Sequence, residues 1–581
     1  MVVILGVNPM TDASACLVID GVLVNYVERE RFEPRWKHSR KYDLEKDRVI
    51  LLDPIEAIKW CLEDTGITMD KVDYIVLSWK AEKESMKRLY DLVPYEKEPD
   101  RIEWEKRCLE KHSPEALMAD LKQKLEEAEL TPVPDMVCVP HHLAHAATAY
   151  ASGWEKCAIL TVDGHGDTTA IAGWIKDGGE IKQVFWHPFW NSLGWFYSAV
   201  TEFLGLKMKC DETKVMNLSN YAEVSPILKK KMDKVVKVKK GDVEVDASYL
   251  LYGPHKISEN PRYSDKFIHL FGEPFERLEK HFKTIGDVKE SRAAQIAAAA
   301  QAKLEEAMLA LCYKLLYKLP IEENIPSKLV LAGGIALNCK ANSRILREKL
   351  FSDVFVLPAA HDGGTAVGAA LYWYWHETNK DPTFELEHAY YGPEYSNKEI
   401  EEFLESQEVD FYEVEPVAKA VELLLDNQIV AWFQGRREMG PRALMNTSIL
   451  ADPRDKRNFY RINVYHKKSV LWRDRSPSVT YAFAREHFDE HFSKLDPFML
   501  GLRKVDDSIP AVTSVRGETR PQIIDHPILT LLEEEIGFGC VLNTSFNQAG
   551  KAMVNSPQMA LEDAKAMKLQ HLIIGDFYIN L

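Results

Sequence analysis

Leu331-Ala332-Gly333-Gly334-Ile335-Ala336-Leu337-Asn338 reads as a short buried strand that ends in paired glycines ahead of a helix. Glycines at such a junction let backbone N–H groups approach a phosphate or an adenine nucleotide closely. A second pair, in His361-Asp362-Gly363-Gly364-Thr365, follows the apolar run Val354 to Leu357. Working outward, similar runs stand at Val2 to Leu5, Ser14 to Ile19, Tyr74 to Leu77 and Ala158 to Val162. The first two, separated by turn residues and followed by Asp20-Gly21, predict that the chain opens with a β-hairpin. Between the runs lie helical segments, above all the Ala-rich stretch Ser291 to Leu319. Strands alternating with helices predict an α/β architecture.

Around Trp375 to Tyr395 the pattern lapses into polar, aromatic and Pro/Gly-containing sequence, so a linker is expected at 376–396. A helix from Asn397 to Glu405 and a strand from Ile429 to Phe433 then open a second α/β unit. The expected domains are therefore 1–375 and 397–581, with no short internal repeat visible.

The chain has 581 residues, 46% hydrophobic and 28% charged, an ordinary folded composition too long for a single small binding module. Its formal charge of -16 opposes a long phosphate polymer but leaves room for small anions held by local cations. The basic segment from Lys229-Lys230-Lys231 through Lys239-Lys240 lacks interleaved aromatics and reads as a solvated helix face. The 9 cysteines contain no C-x-x-C pair, which argues against a disulfide framework or zinc ribbon. With no basic leader and no long apolar run, a cytoplasmic protein without a membrane partner is expected.

His141 and His145 are i,i+4 neighbours if Pro140 starts a helix, and could present two imidazoles to one ion. The competing reading is that they cap or pack. Two Asp-Gly turns, at Asp163 and Asp362, follow strands, and carboxylates at strand ends can converge. Two imidazoles with two carboxylates suit Fe(II), Mn(II) or Zn(II); alone, each Asp could equally cap its turn. In the C-terminal unit Arg436, Arg437 and Arg442 crowd behind a strand. Lys467, Lys468, Arg473, Arg520 and Asn543-Thr544-Ser545-Phe546-Asn547 follow, the donors a multiply charged phosphate needs. Surface ion pairs with Asp452, Asp455 and Asp474 are the plainer alternative.

Six ordered motifs then stand together: His141-x-x-x-His145, Val162-Asp163-Gly164, Gly333 to Asn338, Asp362 to Ala370, Gly435-Arg-x-Glu-x-Gly-Pro-Arg-Ala-Leu444, and Asn543 to Asn547. In this order they resemble the O-carbamoyltransferase family, which includes nodulation-factor and tobramycin carbamoyltransferases, and the resemblance covers almost the whole chain. The glycine pairs likewise resemble the nucleotide clamp of actin-like ATPases. The resemblance implies an N-terminal actin-like ATPase-type domain and a C-terminal YrdC-like domain. It implies that carbamoyl phosphate and ATP, with Mg, form carbamoyl-adenylate in the second, and that the first passes the carbamoyl group to a hydroxyl.

Carried over, the divalent-metal ligands would be His141, His145, Asp163 and Asp362, and the nucleotide would meet Gly333, Gly334, Asn338 and Lys214. Arg442, Lys467, Arg473, Arg520, Asn543 and Ser545 would serve carbamoyl phosphate and ATP, with Lys467 and Arg473 catalytic. Asp12 and His142, with His165, are candidates for the base toward the acceptor.

Where the family pattern is Lys-x-Arg-Glu-x-x-Arg-Pro-Phe-Ala-Pro, this chain has Lys467-Lys468-Ser469-Val470-Leu471-Trp472-Arg473-Asp474-Arg475-Ser476-Pro477. Met445 and Thr447 also depart, as do Asn217, Ser219 and Asn220, whose polar groups offer hydrogen bonds to a polar acceptor. The expected acceptor is a small hydroxyl compound, a sugar-bearing metabolite or a hydroxymethyl-pyrimidine nucleotide, without duplex nucleic acid; a homodimer is admitted. The rival readings are a tRNA threonylcarbamoylation-type enzyme, which should carry a basic stripe, and a non-catalytic actin-like nucleotide-binding regulator.

Overall fold

The computed structural model describes residues 1–33, 42–43, 48–49, 53–92, 99–239, 241–251, 262–318, 327–488 and 492–581. Lys240, in the basic segment, and Leu319, the expected end of the long helix, lie outside the described residues. By internal packing the chain forms two units, Met1–Arg29 with His38–Leu386, and Glu30–Lys37 with Glu387–Leu581, as far as these are described.

In the first unit, β1 (Val3–Asn8), β2 (Ser14–Ile19), β3 (Val22–Glu28), β4 (Tyr74–Leu77) and β5 (Asp135–Cys138) form a sheet of order β3-β2-β1-β4-β5. The predicted opening hairpin is present, with Val3 opposite Ile19 and Asn8 opposite Ser14. A second sheet repeats the plan with β6 (Lys156–Gly166), β7 (Thr169–Asp177), β8 (Glu180–Pro188), β9 (Lys328–Ala332) and β10 (Asp353–Val356), in order β8-β7-β6-β9-β10. In both, three antiparallel strands continue into two parallel ones. A βββαβαβ plan used twice is the actin-like fold. The two halves share the plan without sharing a sequence repeat, because only burial pattern and strand order recur.

The helices that position the site are α1 (His141–Ala147), α2 (Arg292–Lys318), α3 (Cys339–Arg347) and α4 (Thr365–Thr378). The long Ala-rich helix expected from the sequence is α2, whose small side chains are mostly buried. Helix α4 lies against α1 and against β1 and β2. Gly368 makes that approach possible, since a Cβ there would run into the Ala144 carbonyl oxygen on α1. On the basic segment Lys229 and Lys230 are exposed on a helix that buries Met232 and Val235, the solvated face expected.

The second unit is built on β11 (Tyr412–Glu413), β12 (Val430–Phe433), β13 (Thr447–Ala451), β14 (Ser476–Val479), β15 (Gln522–Ile523), β16 (Cys540–Ser545), β17 (His571–Ile574) and β18 (Phe577–Asn580). Their order is β11-β18-β17-β12-β13-β16-β14-β15. Alternation along the strands feeds two cores. Phe433, Ile449 and Leu542 face one, while Trp432, Leu450 and Val541 face the other. Among the described residues no helix is long and apolar enough to cross a membrane.

Candidate functional site

Two separate groups of polar side chains are assembled, one in each unit. In the first, His141 and His145 sit one turn apart on α1, Asp163 is on β6, and Asp362 stands at the turn that starts α4. One donor atom from each of the four lies within 4.8 Å of every other. Nε2 of His141 and of His145 are 3.6 Å and 3.7 Å from Asp362 Oδ1, too far for good hydrogen bonds. Both Nε2 atoms are buried without a hydrogen-bond partner. Orphaned imidazole nitrogens facing carboxylates, at a spacing with room for an ion between them, fit a divalent cation. His141 and His145 are 0% and 1% exposed while the Asp362 side chain is 15% exposed, so the cluster opens on the Asp362 side.

Partners behind the cluster fix its orientation. His141 Nδ1 lies 3.2 Å from the Ser78 carbonyl oxygen, to which it donates, leaving Nε2 toward the centre. Asp167 accepts the backbone N–H groups of His141 (2.6 Å) and Lys80 (2.9 Å). Trp79 walls the His141 ring edge-on at 5.2 Å. The paired glycines belong to this cluster too, because the Gly334 N–H donates to Asp163 Oδ1 at 2.7 Å. Gly333, at φ 92°, has no room for a Cβ against the Val162 carbonyl oxygen.

The charges are strongly interdependent. Burial draws the His141 imidazolium down, yet Asp362, Asp163 and Asp167 together push it up to about 9. Burial, with His141 beside it, brings His145 down to about 4 against the pull of Asp362. Burial and the Asp362 carboxylate push Asp163 up. Burial opposes charge on Asp362 as well, but the two imidazoles hold it well below the usual carboxylate range.

Other expected residues fall elsewhere. His142 points away from the cluster, its Nδ1 2.8 Å from the Thr161 hydroxyl, and burial keeps it neutral. His165 packs between Trp79 and Trp195, and burial brings it down to about 3. Asp12 Oδ2 lies 3.3 Å from His361 Nδ1, and His361 Nε2 lies 3.6 Å from Glu28. Asn338 caps α3 through the Ala341 N–H and exchanges two 3.0 Å hydrogen bonds with Gln301. Lys214 pairs with Asp211 at 2.9 Å and with Glu279. Lys340 reaches Ser219 (2.9 Å) and Asn220 (2.8 Å), two of the positions that depart from the family pattern.

The second group lies in the other unit. Lys467 Nζ donates to Ser545 O (2.5 Å), Ser545 Oγ (3.0 Å) and Asn547 Oδ1 (2.9 Å). Arg520 holds Ser476 Oγ through Nε and Nη2 at 3.1 Å and 2.9 Å, and its Nη1 is buried without a partner. Asn543, opposite Ser476 in the sheet, donates to Ser478 Oγ at 2.9 Å and keeps a buried Oδ1 without a partner. The loop carrying Arg442 is wrapped around Glu438, whose Oε1 accepts the N–H groups of Leu444, Asn446 and Thr447 at 2.9, 3.0 and 2.8 Å. Burial first, and then the charges of Arg473 and Arg520, hold the Arg475 guanidinium well below its ordinary range. Buried cations with spare N–H groups are suited to a phosphate.

Sequence reasoning left out Ser78, Asp167, Glu438 and Arg475. Glu438 stands inside a motif already quoted and Asp167 three residues beyond another, whereas Ser78 acts through its backbone and leaves no trace in residue type.

The family model for the carbamoyltransferase N-terminus matches residues 3–371, and that for the carbamoyltransferase C-terminus matches residues 421–580. The chain belongs to the carbamoyltransferase family. Among curated relatives, nodulation protein NolNO of Sinorhizobium fredii is 30% identical, covering 98% of this chain and 79% of its own. The 3'-hydroxymethylcephem-O-carbamoyltransferase of Streptomyces clavuligerus is 30% identical, covering 43% of this carbamoyltransferase and 48% of its own length. Among solved structures, HypF of T. kodakarensis is similar at a TM-score of 0.30 and 12% identity, covering 65% of this chain and 48% of that one.

Proposed function

We propose that this carbamoyltransferase uses carbamoyl phosphate and ATP to form carbamoyl-adenylate in its C-terminal, YrdC-like unit. The carbamoyl group then passes to the hydroxyl of a small polar acceptor at the His141/His145/Asp163/Asp362 cluster. The observation that carries this reading is the separation of two chemistries: cationic donors with unpartnered N–H groups in one unit, and four convergent ligand atoms in the other. Water first releases phosphate from carbamoyl phosphate; the carbamate so formed, itself a poor electrophile, displaces pyrophosphate from the α-phosphate of ATP, and AMP then leaves as the acceptor hydroxyl attacks the carbamoyl carbon.

In the C-terminal unit Lys467, Arg473, Arg520 and Arg442 would neutralise the phosphates, and Asn543 and Ser545 would orient them. In the N-terminal unit His141, His145, Asp163 and Asp362 would hold a divalent ion, Fe(II), Mn(II) or Zn(II). Such an ion supplies a Lewis acid for a polarised carbonyl. Asp12, beside the cluster's turn through its contact with His361, is assigned to accept the acceptor's hydroxyl proton, in preference to the buried His142. Lys340, Ser219 and Asn220 offer polar groups to a sugar-bearing metabolite or a hydroxymethyl-pyrimidine nucleotide.

The test supplies carbamoyl phosphate, ATP and Mg to the purified chain with panels of hydroxyl compounds of both kinds. Pyrophosphate release together with a mass gain of one carbamoyl group on an acceptor supports the reading. Absence of pyrophosphate release refutes it.

A further inference from the structure

Arg475, which no motif reading assigned, is only 5% exposed. Its Nε donates to Asn463 Oδ1 at 2.6 Å and its Nη1 to Thr544 Oγ1 at 2.8 Å, so two arms of the planar fork are fixed by neutral partners. The third arm, Nη2, is buried and has no hydrogen-bond partner. After burial itself, Arg473 and Arg520 are what hold the Arg475 guanidinium well below its ordinary range. Arg520 Nη1 is orphaned in the same way. Buried guanidinium N–H groups without acceptors, gathered among further cations, are costly to keep unless an anion completes them.

Asn463, which accepts Arg475 Nε on its amide oxygen, also accepts the Ser469 N–H on its backbone oxygen (2.7 Å), so the fork is tied to the turn that follows Lys467.

We propose that Arg475 is a phosphate-binding residue of the C-terminal unit. Its Nη2 donates to an oxygen of a phosphate group carried by the acyl phosphate or by the nucleoside triphosphate. This rests on the reading of that unit given above, and the test separates the two.

Inorganic phosphate is titrated calorimetrically into the full chain, into Arg475→Phe, which removes all the guanidinium donors, and into Arg475→Lys. Losing a charge-assisted hydrogen bond weakens phosphate binding about tenfold or more in Arg475→Phe, with Arg475→Lys between that and the parent. In the pyrophosphate-release assay the KM that rises, for carbamoyl phosphate or for ATP, identifies which phosphate is held. A role confined to tying Asn463 to Thr544 would lower thermal stability and leave phosphate affinity unchanged in both variants. That result, or no phosphate binding by the parent chain, overturns the proposal. If Arg475→Phe does not fold, Arg475→Lys decides by the same criterion. A parent chain that binds phosphate but releases no pyrophosphate would defeat the proposed reaction and leave the Arg475 comparison standing.

Discussion

Replacing Glu438 should damage the C-terminal site from inside the loop that carries Arg442. Glu438 is 2% exposed, and its Oε1 accepts three backbone N–H groups, from Leu444, Asn446 and Thr447. Hydrogen bonds to a charged acceptor contribute about 1.5–3 kcal/mol each and neutral ones about 1 kcal/mol. Glu438→Gln keeps the shape but loses the charge, so it should cost roughly 2 kcal/mol over the three bonds. Glu438→Ala strands the buried donors of Leu444 and Thr447 and the partly buried one of Asn446, which at about 1–2 kcal/mol each comes to roughly 4 kcal/mol. Urea denaturation followed by tryptophan fluorescence reads the stability. Pyrophosphate release at varied carbamoyl phosphate reads the loop, with KM rising in the order parent, Gln, Ala. An Ala variant with the parent's urea midpoint and the parent's KM would refute the idea that this carboxylate organises the loop.

Elemental analysis should find one divalent ion per chain, lost in His145→Ala and in Asp362→Ala. Asp167→Asn, which disturbs the support behind His141 and Lys80 without removing a ligand, should weaken metal affinity by about 10–100-fold without abolishing it, as read by competition with a chelator. His187 is brought by burial, and then by Lys314, from 6.5 to about 4. Its folded pKa is below its unfolded one, so its contribution to stability is present above about pH 6.5 and is lost as pH falls toward 4. At about 1.4 kcal/mol per unit the loss is at most about 3 kcal/mol, and urea midpoints against pH should be flatter in that window for His187→Gln.

How much the sequence disclosed depended on what kind of signal each feature leaves. The opening hairpin, the Tyr74–Leu77 strand and the Ala-rich α2 were legible because burial pattern and composition fix them locally. The duplicated five-stranded plan followed from the family resemblance and not from the strand pattern itself, because strand order is decided by which faces pack together, as at Gly368 against Ala144. Convergence of His141, His145, Asp163 and Asp362 was foreshadowed by spacing and by turns at strand ends, and completed only when α1, β6 and α4 were brought together. Gly334 and Asn338 illustrate the opposite case. Their residue types suit a nucleotide, but the Gly334 N–H is engaged by Asp163 and the Asn338 amide by Gln301 and the α3 N-terminus. Among the cations, Lys467 and Arg520 were visible as residue types, whereas the unpartnered arm of Arg475 is a property of packing.

The division of labour between the units is tested most directly by assaying both half-reactions in one variant, His141→Ala. The account predicts pyrophosphate release from ATP and carbamoyl phosphate at the parent rate, with no carbamoylated acceptor formed. Loss of pyrophosphate release, with transfer from supplied carbamoyl-adenylate intact, would contradict it.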